Sequence, residues 1–234
     1  MKTLLLATYY FVALLTPLFG QFTQQGPKLI GAGARDAVRF GSAVAISADG
    51  NTAADGGTGE NSGRGAVWFY VRTNGQWVQQ GPSLAGSLPF QSHMGYSIAI
   101  SADGNTVIAG VPYDGETGSA VVFTRSGGVW TQQGPKLVGT GGEGTQSLQG
   151  FAVSLSADGN TAIVGGYGDG APFTYIGAVW IFTRSNAVWT QQGQKLIGMG
   201  GMRTQVRDYR WHCLPMATWP LWVGPATMAR LGFL

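Results

Sequence analysis

The chain of 234 residues holds one cysteine, Cys213, and two histidines, and only 11% of it is charged. A lone thiol excludes a disulfide framework, so stability must come from packing. His93 and Cys213 have no companions at metal or triad spacing, so no nucleophile, base and orienter set can be assembled from the sequence. The formal net charge of +3 belongs to the ends of the chain, because Gln21 to Met202 carries nine basic residues against ten acidic ones. That balance excludes the basic footprint of a nucleic-acid binder. Long apolar runs are also missing after the first twenty residues, so no membrane span is expected in the mature chain.

Glycine is plentiful, at 39 residues, and aromatics make up 12%. Many glycines beside many aromatics suggest short strands joined by tight turns. The hexapeptide SADGNT begins at Ser47, Ser101 and Ser156, with its aspartates 54 and 55 residues apart. WVQQGPSL, WTQQGPKL and WTQQGQKL begin at Trp77, Trp130 and Trp189, and FTQQGPKL at Phe22 precedes the first SADGNT. GAVWFYVR from Gly65, SAVVFTRS from Ser119 and GAVWIFTR from Gly177 keep the same phase. A fixed long period marks a repeat protein.

Each repeat reads as four strands. In the third copy these are Phe151 to Ser156, Thr161 to Gly165, Ala178 to Thr183 and Val188 to Leu196. Asp-Gly between apolar runs predicts a tight primed turn, as do Asn74-Gly75 and Gly127-Gly128. The continuous apolar run AVWIF predicts a strand covered on both faces. Such sheets must stack on one another, and radial stacking of four-stranded antiparallel sheets is a β-propeller. The expectation is an all-β partial propeller of about three complete repeats, near residues 40–87, 94–141 and 149–200 within residues 21–201. Phe22 to Ile30 reads as a fourth strand without its first three, and exposed blade faces would favour self-association.

Phe40-Gly41 and Gly110-Val111-Pro112, with looser counterparts at Met94-Gly95, Gln149-Gly150, Gly56-Gly57 and Gly165-Gly166, resemble the FG-GAP repeat of integrin α-subunit propellers and bacterial surface proteins. The resemblance implies calcium in the loop between the first two strands, with Asp49, Asp103 and Asp158 as the candidate ligands. The other ligand positions hold Ala45, Ser47 and Ala53 in the first copy, so one carboxylate per loop serves an ion that takes six to eight oxygens. The loops then read as turns, and no cofactor is expected. The resemblance also implies a secreted or cell-surface binding or adhesion module without catalysis, recognising an extracellular protein or glycan.

A second acidic set, Glu60 and Asn61, Asp114 and Glu116, and Asp169, falls on connections expected to be exposed at one blade end, where a ligand would be met. The competing class is a secreted propeller hydrolase acting on glycans through Glu60, Asp114, Glu116 and Asp169. A truncated product without function is a third. Trp77, Trp130 and Trp189 could stack on sugars, but recurrence at one position favours packing. Asp55 stands where the other copies have Ala109 and Val164, which predicts local destabilisation or a channel-facing carboxylate.

Residues 1–20 combine Lys2, an apolar run and a small residue at Gly20, the pattern of a secretory signal or of an uncleaved anchor. Residues 202–234 abandon the repeat and hold three of the eight tryptophans. Reading each hidden codon as the third base of one codon and the first two of the next forces Leu at His212-Cys213, Gly at Met216-Ala217, Ala at Trp219-Pro220 and Gly at Trp222-Val223. These match Leu155, Gly159, Ala162 and Gly165, so the tail is expected to be a frameshifted fourth repeat rather than a genuine basic, aromatic segment.

Overall fold

A computed structural model of the chain describes residues 23–198, apart from 36, 144–145 and 171–175. The signal segment and the aberrant tail lie outside the described residues. Among the described residues, twelve strands form three blades: β1 Ala43–Ile46, β2 Thr52–Gly57, β3 Ala66–Thr73 and β4 Gln76–Gln79; β5 Ile98–Ile100, β6 Thr106–Val111, β7 Ser119–Ser126 and β8 Val129–Gln132; β9 Ala152–Leu155, β10 Thr161–Gly166, β11 Ala178–Ser185 and β12 Val188–Gln191. Each blade is a four-stranded antiparallel meander in sequence order. The chain is an all-β partial propeller, with β1, β5 and β9 as neighbouring inner strands.

The turns between third and fourth strands are of the expected primed kind, with two successive positive φ values at Asn74 and Gly75 (+52° and +76°), Gly127 and Gly128, and Asn186 and Ala187. The Asp-Gly turns differ. Only Gly50, Gly104 and Gly159 have positive φ there, and the Ser47 and Thr52 backbones close a wider loop. The fourth strands are shorter than expected, because Gly193 turns the backbone into the left-handed region and only Leu196 rejoins the sheet, bridging Val179. Residues 23–30 form no strand and are exposed, since no third strand lies beside them.

Directly paired residues share a face of a sheet. On what we call the rear face, toward the preceding blade, Ile98 opposes Ala109 and Ile100 opposes Val107; Val153 opposes Val164 and Leu155 opposes Ala162. The front face of blade 1 brings Ala54, Val67 and Phe69 against this rear face of blade 2, where Phe69 stacks on Trp130 at 4.1 Å. Ile108, Ala120 and Val122 on the front of blade 2 meet Ala162, Val164, Trp180 and Phe182 of blade 3. Full burial stabilises each Val, Ile or Phe by about 1.5–3 kcal/mol, so these two layers are the main source of cohesion. The blades approach so closely that a Cβ on Gly110 would fall on the Gly150 carbonyl. Gly56, Gly95, Gly110 and Gly150 therefore meet a backbone-packing requirement between blades, whereas a Cβ on Gly41 would meet nothing within 4 Å.

Candidate functional site

The repeated hexapeptide is a hydrogen-bonded latch. Ser47 Oγ donates to Asp49 Oδ1, whose carboxylate also accepts from Asn51 N at 2.9 Å and Asn51 Nδ2 at 3.1 Å, while Thr52 N donates to Ser47 Oγ. The second and third copies repeat the core of this arrangement. Its product is a fixed asparagine: Asn51, Asn105 and Asn160 each accept Nε–H of an arginine on the third strand, Arg72, Arg125 and Arg184, at 2.9–3.1 Å.

From there the guanidinium reaches the preceding blade. Arg125 donates Nη1 to Gln80 and Nη2 to Thr52, both at 3.2 Å, and the indole of Trp130 donates to the same Gln80 Oε1 at 2.9 Å. Arg184, Gln133, Thr106 and Trp189 form the same set between blades 2 and 3. Ala48 N donates to Ala102 O, and Ala102 N to Ala157 O, so the loops are also chained through their backbones. Trp130 and Trp189 thus belong to inter-blade packing, while Trp77 packs against the Trp68 and Tyr70 cluster of its own blade.

The Ser47 hydroxyl, followed by the Asn51 amides, lowers the Asp49 carboxyl to about 2. Asp158 is lowered by the equivalent bonds from Ser156 and Asn160. At Asp103 burial pushes upward, but the bonds from Ser101 and Asn105 and the Arg125 charge outweigh it. Calcium does not fit these loops: the single carboxylate of each is already engaged by O–H and N–H donors, and Ala45 and Ala53 add no side-chain oxygen.

The second acidic set is placed differently from expectation. Glu60, Asp114 and Asp169 are 5%, 8% and 1% exposed. Each pins a segment that enters or leaves a blade. Glu60 accepts from Arg35 N. Asp114 accepts from Ser119 Oγ and pairs with Lys136 at 2.6 Å. Asp169 accepts from Glu143 N and Ser147 Oγ and pairs with Lys195. Only Glu116 remains exposed, while Asn61 sits in a short turn with φ +50°.

Asp55 lies between Val44 and Trp68 on the rear face of blade 1, the face that no other described blade meets. Its carboxylate accepts from Gly41 N at 2.8 Å, and burial raises its pKa against that bond. Tyr70 shares the face, with a buried hydroxyl that has no partner; burial and the nearby Asp55 charge push its phenol up to about 12.

At the end of the blades opposite the latches, five rings form a continuous row. His93 meets Tyr113 edge-on at 5.4 Å, Tyr113 meets Tyr96 at 6.3 Å, Tyr96 meets Phe151 at 4.7 Å and Phe151 meets Tyr167 at 4.5 Å. Tyr96 and Phe151 stand just ahead of the inner strands β5 and β9; Tyr113 and Tyr167 follow β6 and β10. Tyr113 is 43% exposed and the others are half-buried. Burial, then the neighbouring Tyr113, raises the Tyr96 phenol. His93 Nδ1 lies 3.0 Å from the Thr58 carbonyl oxygen. A carbonyl only accepts, so Nδ1 carries a proton, which in the neutral imidazole leaves the lone pair on Nε2. Repeat alignment hides this row, because its rings stand at positions that are not aromatic in all copies: Tyr96 and Phe151 correspond to Ser42 in the first.

No family model matches the chain, and no curated protein matches it. Solved structures similar to it include two provisionally assigned 6-phosphogluconolactonases. That of Bacteroides uniformis has 13% identity and a TM-score of 0.48, covering 79% of this chain and 48% of that one. That of Bacteroides fragilis has 18% identity and a TM-score of 0.48, covering 76% and 44%. A hypothetical selenium-binding protein of Sulfolobus tokodaii has 14% identity and a TM-score of 0.46, covering 70% and 42%. The chain spans less than half the length of each. The expected FG-GAP, integrin-like family is therefore corrected: no family model supports it, and the matched structures carry other names, two of them enzymes. The expected adhesion module without catalysis falls with it. Part of its glycine signature, Gly56, Gly95, Gly110 and Gly150, has the simpler cause given above, close backbone contact between blades.

Proposed function

We propose that the aromatic row is the substrate platform of a hydrolase acting on a sugar-ring ester or lactone, with His93 as the base. The carrying observation is the row itself, with its end imidazole held in one tautomer by Thr58. Flat, partly exposed rings suit the apolar face of a sugar. Asp114 and Asp169 are committed to Lys136 and Lys195, which disfavours the two-carboxylate chemistry of glycoside hydrolysis.

In this reading His93 Nε2 takes a proton from water as the water oxygen bonds to the carbonyl carbon. The C–O bond to the ring or alcohol oxygen then breaks, and that oxygen receives the proton from the imidazolium, leaving a hydroxy acid. Export of the chain, suggested by its first twenty residues, belongs to the same proposal.

The test is acid release from a sugar γ-lactone, measured above the uncatalysed rate. Tyr113→Ala is expected to raise KM about tenfold, the equivalent of about 1.4 kcal/mol of ring contact. His93→Gln is expected to lower kcat by about 100-fold or more at similar KM. Equal rates in the wild type and His93→Gln would overturn the reading.

A further inference from the structure

Among the described residues no other blade meets the rear face of blade 1 or the front face of blade 3; residues 31–40 cover the Trp68 part of that rear face, where Phe40 meets Trp68 at 4.7 Å, and leave its inner strand open. Val44 opposes Asp55 and Ile46 opposes Ala53, the register positions held by Ile98 and Ile100 in blade 2 and by Val153 and Leu155 in blade 3. Those four pack against inter-blade cores, whereas Val44 and Ile46 are 70% and 58% exposed. They line a groove of about 580 Å³ together with Tyr70 and Phe40. On blade 3, Ile163 and Ile181 oppose each other on the front face, at the positions of Ala54 and Phe69 in blade 1.

The latch is divided in the same way. Gln192, Thr161 and the Ala157 N–H occupy the donating and accepting positions that Gln80, Thr52 and Ala48 N use toward the next blade; none of the three makes such a bond across a blade among the described residues. Arg72 and Trp77 are the receiving half. Arg72 Nη1 is met by Gln25 at 3.3 Å, and its Nη2 makes no bond to a threonine, unlike Arg125 and Arg184. Gln25 belongs to a segment whose Lys28-Leu29-Ile30-Gly31 is repeated as Lys195-Leu196-Ile197-Gly198. The exposed residues 23–30 thus stand in for the third blade's own QQG segment.

One polar pair singles out the partner. Asp55 replaces the Ala109 and Val164 of the other rear faces, and Ser154, which opposes Ile163, replaces the Ala45 and Ala99 of the other front faces. Ala99 packs in the cluster that contains Val153 and Val164. The same geometry would bring the Ser154 hydroxyl toward Asp55 of a following blade 1.

We propose that two copies of this chain join head to tail, the front of blade 3 in each on the rear of blade 1 in the other, closing a ring of six blades. Gln192 of the second copy replaces Gln25 on Arg72, and Ser154 meets Asp55. With the three described blades per copy, two copies give six, inside the closed range of about four to eight, whereas one or three copies fall outside it. A head-to-tail contact that closes gives a finite ring, and one that does not gives a filament.

Sedimentation equilibrium of the full chain tests this. The expected species has twice the chain mass, and Val44→Lys weakens it at least about tenfold while leaving the monomer's thermal unfolding unchanged, because Val44 is exposed there. Ser154→Ala and Asp55→Ala should each weaken it and be non-additive together. A monomer at all concentrations, an open-ended polymer, or a dimer indifferent to Val44→Lys would each overturn the proposal.

Discussion

Trp180→Ala is expected to lower the unfolding free energy by about 3–5 kcal/mol, the range for removing a buried aromatic from a core. The indole is fully buried between blades 2 and 3 among Ile108, Ala120 and Val122, and its N–H donates to the Thr140 carbonyl at 2.8 Å. The substitution removes a large part of one inter-blade layer and leaves that carbonyl without its donor. Trp77→Ala should cost far less, since Trp77 is half-buried on the side of blade 1 that no other described blade meets. Denaturant unfolding followed by fluorescence measures both; equal losses would count against inter-blade burial as the source of cohesion.

Asp169→Ala is expected to cost about 3–5 kcal/mol, the range for breaking a buried ion pair by removing one partner. The side chains of Asp169 and Lys195 are 2% and 9% exposed, so the ammonium would keep only the exposed Glu143, at 3.3 Å. The bonds from Ser147 and Glu143 N would be lost as well. Asp114→Ala removes an analogous pair, yet Lys136 is 37% exposed and can turn to water, so the expected loss is about half as large. The ratio of the two losses is the informative quantity. Similar values would mean that burial of the lysine does not matter.

The third strands, their primed turns and the long period are readable from AVWFYVRT, SAVVFTRS and AVWIFTRS with the residues that follow, because these depend on local pattern. The latch is not readable in the same way. Thr52 and Arg125 are 73 residues apart, and nothing local shows that SADGNT presents an asparagine to one arginine and a threonine to the next blade's arginine. Asp114 and Asp169 pass for exposed loop residues because their lysines arrive from the linking segments, 22 and 26 residues later. The ring row escapes notice for the opposite reason: Tyr96, Tyr113 and Phe151 depart from the repeat, and aligning copies selects what they share.

The central claim is that the repeated motif holds one blade to the next. A double-mutant cycle of Gln80→Ala and Arg125→Ala, in unfolding free energy, tests it most directly, because Gln80 Oε1 receives both Arg125 and Trp130 from the following blade. A coupling of about 1–3 kcal/mol is expected for residues in one hydrogen-bonded network. Additivity within about 0.4 kcal/mol would contradict the claim.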